Sequence, residues 1–310
     1  MKRAIAVVGP TASGKTRLAV ALARRLDTEV LSADSMQFYR GMEIGTAAPT
    51  LLERCDVRHH FIGILPPDAD MAAGRYERMA RETASDLLGR GKIPVLVGGS
   101  GLYVSAFIDG LFEGPARNQR IRERIRARAL DVGNAAMLEQ LHAVDPVYAS
   151  LLSSENDMVR IVRALEVYEL TGRPFSDWHR EHRETREPWK VTQVALRWDR
   201  ALLYERINRR VSEMIDAGWV EETRRLIDDG YEKDLARLKA LGYREIAVYL
   251  RGETELETAA EAARQHHRRY AKRQMTWFKA DKRVHWIECT EASSIDALAQ
   301  ETLRLFQEQS

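Results

Sequence analysis

Apolar residues occur along the chain in two alternating textures: short unbroken runs, and longer stretches with apolar residues three and four apart. Residues 4–8 (Ala-Ile-Ala-Val-Val) form a continuous apolar run of the kind that makes a strand buried on both faces. Residues 16–26 follow with Leu18, Ala19, Leu22 and Leu26 at helical spacing. The same alternation predicts strands at 29–33, 60–64 and 93–97 and a helix over 72–88. Residues 38–49 have no period and read as a long ordered loop. Strands that alternate with helices in this way predict an α/β fold with a doubly wound parallel sheet.

From about 111 to 199 the strand signals stop and the chain turns charged and helical, which predicts an inserted, mainly helical domain within a core of 1–110 and 200–310. Within the insert, 118–129 is rich in Arg, 159–170 is amphipathic, and Thr171-Gly172-Arg173-Pro174 stops a helix. Residues 175–189 give no assignable pattern. An apolar run returns at 191–196, followed by helices over 200–217, 220–228, 243–249 and 256–279, a strand at 284–287 and a closing helix over 295–306.

Composition narrows the class. With 310 residues and 45% hydrophobic content the chain can bury a substantial core, and a formal charge of +2 does not by itself imply a polyanion partner. Two cysteines, Cys55 and Cys289, offer neither a metal spacing nor a disulfide framework, so a reducing cytoplasm is the expected setting, with no membrane anchor. His59-His60 and His266-His267 lack partner ligands at a usable spacing.

Chemistry enters at Gly9-Pro10-Thr11-Ala12-Ser13-Gly14-Lys15-Thr16, which fits the phosphate-loop pattern G-x-x-x-x-G-K-[ST] between a predicted strand and helix. Such a loop turns successive N–H groups onto an anion at the positive end of a helix. Lys15 adds charge to the phosphates and Thr16 offers a hydroxyl to Mg²⁺. A second glycine-rich turn, Gly98-Gly99-Ser100-Gly101, follows the strand at 93–97, and Asp34-Ser35-Met36-Gln37 follows the strand at 29–33. Ligands gather at the carboxyl ends of such strands. Late in the chain Arg264, Arg268, Arg269, Lys272, Arg273, Lys279, Lys282 and Arg283 crowd one helix and its exit, interleaved with Tyr270, Trp277 and Phe278, a pattern that suits RNA.

These motifs, with Tyr39-Arg40-Gly41, Ile44-Gly45-Thr46, Arg163-Ala164-Leu165-Glu166-Val167, Leu241-Gly242-Tyr243-Arg244 and Lys272-Arg273-Gln274-Met275-Thr276-Trp277, resemble the bacterial tRNA dimethylallyltransferases along nearly the whole chain. Phe38 stands in place of a usual Val and Ser100 in place of a usual Thr. The resemblance implies a P-loop kinase-like core that binds dimethylallyl diphosphate with Mg²⁺. It also implies alkylation of N6 of the adenosine just 3′ to the anticodon, by a protein expected to work as a monomer. By the same resemblance Asp34 is the general base, Ser100 the hydroxyl beside the adenine and Arg210 an arginine near the diphosphate. Contacts with the tRNA anticodon stem-loop are implied for Asp34, Ser35, Met36, Gln37 and Ser100, for Arg122 and Met158, Val159, Arg160, Ile161 and Val162 of the insert, and for Gly242, Tyr243, Arg244, Lys272, Arg273, Gln274 and Trp277. Read from residues alone, the alternatives are a loop acid or an acid that meets Mg²⁺ through a bound water for Asp34, a helix N-cap for Ser100, and a solvated basic face for Arg206 with Arg210. Two other classes stay open on the sequence: a small-molecule kinase using ATP-Mg²⁺, and an RNA-binding module that responds to a nucleotide without doing chemistry.

Overall fold

The computed structural model describes residues 2–112 and 114–309, and the described residues fall into two compact units, one from 2–109 with 188–309 and one from 110–112 with 114–187. The larger unit opens with β1 (Arg3–Val8), α1 (Lys15–Arg25), β2 (Val30–Ser32), α2 (Leu51–Arg54), β3 (His59–His60), α3 (Ala73–Gly89), β4 (Val95–Gly98) and α4 (Gly101–Asp109). The smaller unit holds α5 (Gln119–Val132), α6 (Asn134–Val144), α7 (Pro146–Ser150), α8 (Met158–Thr171) and α9 (Phe175–Thr185). The larger unit resumes with β5 (Lys190–Trp198), α10 (Arg200–Asp216), α11 (Trp219–Asp228), α12 (Glu232–Leu238), α13 (Tyr243–Leu250), α14 (Leu256–Ala280), β6 (Val284–Cys289) and α15 (Ile295–Glu308).

The six strands form one parallel sheet in the order β3-β2-β4-β1-β5-β6. Alternate residues of β1 serve two cores. Ile5 and Val7 pack with Leu18, Leu22, Leu298 and Phe306 of α1 and α15, while Ala4, Ala6 and Val8 pack with Tyr76, Leu87, Tyr103 and Phe107 of α3 and α4. Covering both faces explains why the strands read as unbroken apolar runs. The chain crosses from β1 over β4 to β2 and later returns beyond β1 to β5, so the carboxyl ends of β1 and β4 flank the switch point where a ligand crevice forms.

Two expectations are corrected. The strand expected at 191–196 spans Lys190–Trp198 and pairs with β1, so the larger unit resumes at 188, not 200, because the sheet needs that strand. The unassigned stretch 175–189 contains α9, which presents Phe175 to the small unit's core. Among the described residues no helix is long and apolar enough to cross a membrane.

The small unit has its own apolar core, with Ile125, Met137, Leu141, Ile161, Val162 and Leu165 buried. Inside it Glu166, fully buried, accepts the Asn118 N–H at 2.6 Å and Arg163 Nη1 at 2.9 Å, with Arg122 Nη1 at 3.9 Å. Removing the carboxylate leaves these half-buried donors unmatched. Glu166→Ala is therefore expected to destabilise this unit by about 3 kcal/mol, read as faster hydrogen exchange across 118–170 than in the larger unit.

Candidate functional site

The crevice is built on a loop whose carbonyls are held from outside. After β1 the backbone turns through left-handed conformations at Ala12 (φ 60°) and Gly14 (φ 93°) into α1. Arg206 Nε donates to the Ala12 carbonyl and Trp198 Nε1 to the Ser13 carbonyl, each at 2.9 Å, and the Arg206 guanidinium lies over the Trp198 ring at 4.2 Å. Lys15 Nζ donates to the Pro10 carbonyl at 3.1 Å. Gln274 of α14 ties this loop to the second glycine turn: its Oε1 accepts the Thr11 N–H at 2.9 Å and its Nε2 donates to the Gly99 carbonyl at 3.0 Å. A Cβ at Gly99 would lie 1.9 Å from Gln274 Nε2, so any side chain there would push this amide off the Gly99 carbonyl. The loop is thus fixed before any anion arrives, which is the condition for electrostatic stabilisation without reorganisation.

Two cavities open here. The first, about 150 Å³, is lined by Lys15, Thr16, Asp34, Glu53, Arg206 and Arg210 with loop backbone. The second, about 200 Å³, is lined by Asp34, Ser35, Met36, Met214, Leu241, Tyr243, Tyr270 and Arg273 among others. Thr11, Asp34, Thr46 and Ala47 border both. Asp34 therefore stands between a cationic, phosphate-sized space and a largely apolar one.

Local bonds orient each group. Asp34 Oδ1 accepts the Met36 N–H at 3.0 Å. Ser100 Oγ accepts the Ser35 N–H at 2.9 Å and donates to Ser35 Oγ at 3.2 Å. Tyr270 is hydrogen-bonded to Ser100 and Gln274, and burial raises its pKa. Arg210 Nη2 donates to the Ala47 carbonyl at 3.1 Å; burial lowers its pKa, yet a guanidinium stays charged. Burial pushes Lys15 down to about 8, with Arg210 adding to the fall and Asp34 opposing it. Thr16 gives one hard oxygen, and magnesium accepts such a donor together with phosphate oxygens and water, so the residues present fit that ion. Among the described residues no group of three or more His, Cys, Asp or Glu forms a metal centre.

Several residues expected at an RNA surface stand elsewhere. Gln274 is buried, with both amide ends engaged inside the crevice. Gly242 and Tyr243 are buried too, although Tyr243 lines the second cavity; Arg244 is exposed. Gln37 is spent on Ser32 Oγ and the Ala47 carbonyl. In the small unit Ile161 and Val162 are core residues, Met158 packs against that core, Arg160 pairs with Asp157 at 2.7 Å, and Val159 is 73% exposed. On α14 Phe278 is buried, and Arg264 and Arg268 are paired with Glu257 and Glu261. Burial takes His267 down to about 4, so it is neutral. Lys272, Arg273 and Trp277 share the exposed face with Arg269 and Lys279. Sequence reasoning missed Trp198, Glu222 and the role of Tyr270 in the crevice. All three act through contacts distant in sequence, and no local pattern marks them.

Residues 37–281 match the family model described as IPP transferase, and residues 2–63 the one described as isopentenyl transferase. A tRNA dimethylallyltransferase 2 of Geotalea daltonii is 44% identical over 284 residues, 92% of this chain and 87% of that one. A tRNA dimethylallyltransferase 1 of Pelobacter propionicus is 43% identical over 94% of each chain. A tRNA isopentenylpyrophosphate transferase structure from Bacillus halodurans superimposes with a TM-score of 0.72 at 35% identity, covering 100% of this chain and 98% of that one. A eukaryotic dimethylallyltransferase shares the fold, with a TM-score of 0.81 at 24% identity, over 98% of this chain and 78% of that one.

The lowered Lys15 has a measurable consequence. Its charged form is lost as pH rises through about 8, whereas a bound diphosphate favours that form, so binding above pH 8 takes up a proton. Calorimetry with inorganic pyrophosphate is expected to show affinity falling about tenfold between pH 7 and pH 9, with proton uptake at the higher pH. Lys15→Arg, always charged, should flatten that dependence.

Proposed function

The chain belongs to the IPP transferase family, and from that premise we propose that it transfers a dimethylallyl group from dimethylallyl diphosphate to N6 of the adenosine immediately 3′ to the anticodon of tRNA, releasing diphosphate. The observation that carries this reading is the position of Asp34, the one carboxylate that borders both cavities. The diphosphate lies in the first, against the loop N–H groups, Lys15 and Arg210, and the adenine enters the second. A small-molecule kinase, open from the sequence, is not favoured by the family match.

The adenine amine is a weak nucleophile because its lone pair is delocalised into the ring. As N6 forms its bond to the allylic C1, the C1–O bond breaks, its electron pair leaves with the diphosphate, and the N6 proton passes to Asp34. Lys15 and Arg210 meet the charge that develops on the leaving oxygens from fixed positions. Mg²⁺, held by Thr16 and the substrate's phosphates, would neutralise further charge there. Ser100 lines neither cavity; it acts by holding Ser35, and so the turn that carries Asp34. Reaching this crevice requires the base to leave its stack in the anticodon loop. RNA contact is assigned to the exposed face of α14, through Lys272, Arg273 and Trp277, to Arg244, and to Val159 and Arg160 in the helical unit.

Incubation with dimethylallyl diphosphate, Mg²⁺ and unmodified tRNA, followed by mass analysis of the nucleosides, tests the assignment, and a product with no added five-carbon mass would reject it. Asp34→Asn is expected to lose at least about a hundredfold in single-turnover rate while binding both substrates within several-fold of wild type. A mutant rate within about tenfold of wild type would remove Asp34 from the role of base.

Arg269, Lys272, Arg273 and Lys279 have no carboxylate partner among the described residues, unlike Arg264 and Arg268. Neutralising these four is expected to flatten the salt dependence of tRNA binding, by roughly 0.7–0.9 in log K against log salt for every phosphate left without its cation. An unchanged slope would return this face to plain solvation.

A further inference from the structure

Part of the wall common to both cavities is a short loop segment that hangs from a buried carboxylate. Thr46 and Ala47 border both spaces. Just before them, the Ile44 N–H donates to Glu222 Oε2 at 2.8 Å and the Gly45 N–H to Glu222 Oε1 at 2.9 Å. The Tyr243 phenol adds a third donor to the same carboxylate at 2.7 Å. Gly45 lies so close beneath α11 that a Cβ there would fall 2.0 Å from Trp219 Nε1. On the far side of the segment the Ala47 carbonyl accepts Arg210 Nη2 at 3.1 Å and Gln37 Nε2 at 3.3 Å. Residues 44–47 are therefore a strap between Glu222 on α11 and Arg210 of the first cavity.

Glu222 is 2% exposed, and among the described residues no cation is paired with it. A carboxylate in such a place is costly, and an apolar side chain of similar volume would serve a merely structural contact at least as well. What an apolar side chain cannot do is receive two loop N–H groups at once. We propose that Glu222 is a positioning residue for the transfer reaction: it sets the strap, and through the Ala47 carbonyl it aims Arg210 at the diphosphate. The proposal rests on the transfer reading for its kinetic consequence, but not for its effect on diphosphate binding.

Glu222→Gln keeps the volume but turns an N–H toward one of the two loop N–H groups, so the strap loses its seat. Pyrophosphate affinity, measured by calorimetry without tRNA, is expected to fall at least about fivefold. Single-turnover alkylation at saturating substrates is expected to fall at least about tenfold, with tRNA affinity within about twofold of wild type. Leu298→Ala, on the opposite face of the sheet, is the control for stability: it should lower Tm while leaving both readouts within about twofold of wild type. Tyr243→Phe removes the third donor, together with its contact to the Met42 carbonyl at 3.1 Å, and should shift both readouts in the same direction by less, which keeps the test available if Glu222→Gln does not fold. The double variant should be non-additive. The proposal is overturned if Glu222→Gln, or Tyr243→Phe in its place, binds pyrophosphate and reacts within about twofold of wild type, or if Leu298→Ala reproduces the losses. Because the pyrophosphate arm needs no alkylation, an inactive wild type would count against the transfer reading and not against the strap.

Discussion

The amides of the phosphate loop can converge on an anion only because the carbonyls of the same peptides are occupied elsewhere. A peptide that points its N–H inward points its C=O outward, and an unmatched buried carbonyl costs about as much as a lost hydrogen bond. Trp198, at the end of β5, and Arg206, on α10, supply those partners, while Gln274 on α14 binds a loop amide and joins the loop to the next turn. Even the bond that spans the least sequence, from Gln274 to Gly99, bridges 175 residues. The short motif carries the shape of the cradle, and the second half of the chain supplies what holds the shape.

This division explains what was legible in advance. The β1-loop-α1 unit, the parallel sheet and the helical insert were readable because their signals are local: strands covered on both faces are apolar throughout, and helices show their buried stripe. Lys15 and Thr16 came from a strand-to-helix turn for the same reason, whereas Asp34 was legible only as an acid past a strand end and its role as base came from the family resemblance. Glu222 gave no such signal. On α11 it sits beside Glu221, and nothing in the string of residues separates the exposed acid from the buried one until Ile44 and Gly45 are brought against it.

The misplaced residues have one physical cause. Gln274 belongs to a run of Lys, Arg and Trp for which the family resemblance implied tRNA contact throughout. A helix, however, turns about 100° per residue, so Gln274 is buried between the two glycine turns while Lys272 and Trp277 are exposed and Arg273, also exposed, borders the second cavity. Ile161 and Val162 face the core of the helical unit by the same rotation while Val159 and Arg160 do not. A contiguous motif on a helix mixes residues that bind a partner with residues that hold the helix in place.

The strand order has a bearing on how the chain is made. β1 is central, paired with β4 on one side and β5 on the other, yet residues 110–187 are synthesised between those two partners. While the helical unit emerges from the ribosome, the β5 side of β1 presents an unpaired edge that is apolar from Ala4 onward, the kind of surface that recruits other chains. A unit with its own core can fold during that interval and shorten the effective distance the returning strand must search. The insert would then serve the nascent sheet as a compact spacer before it serves any substrate.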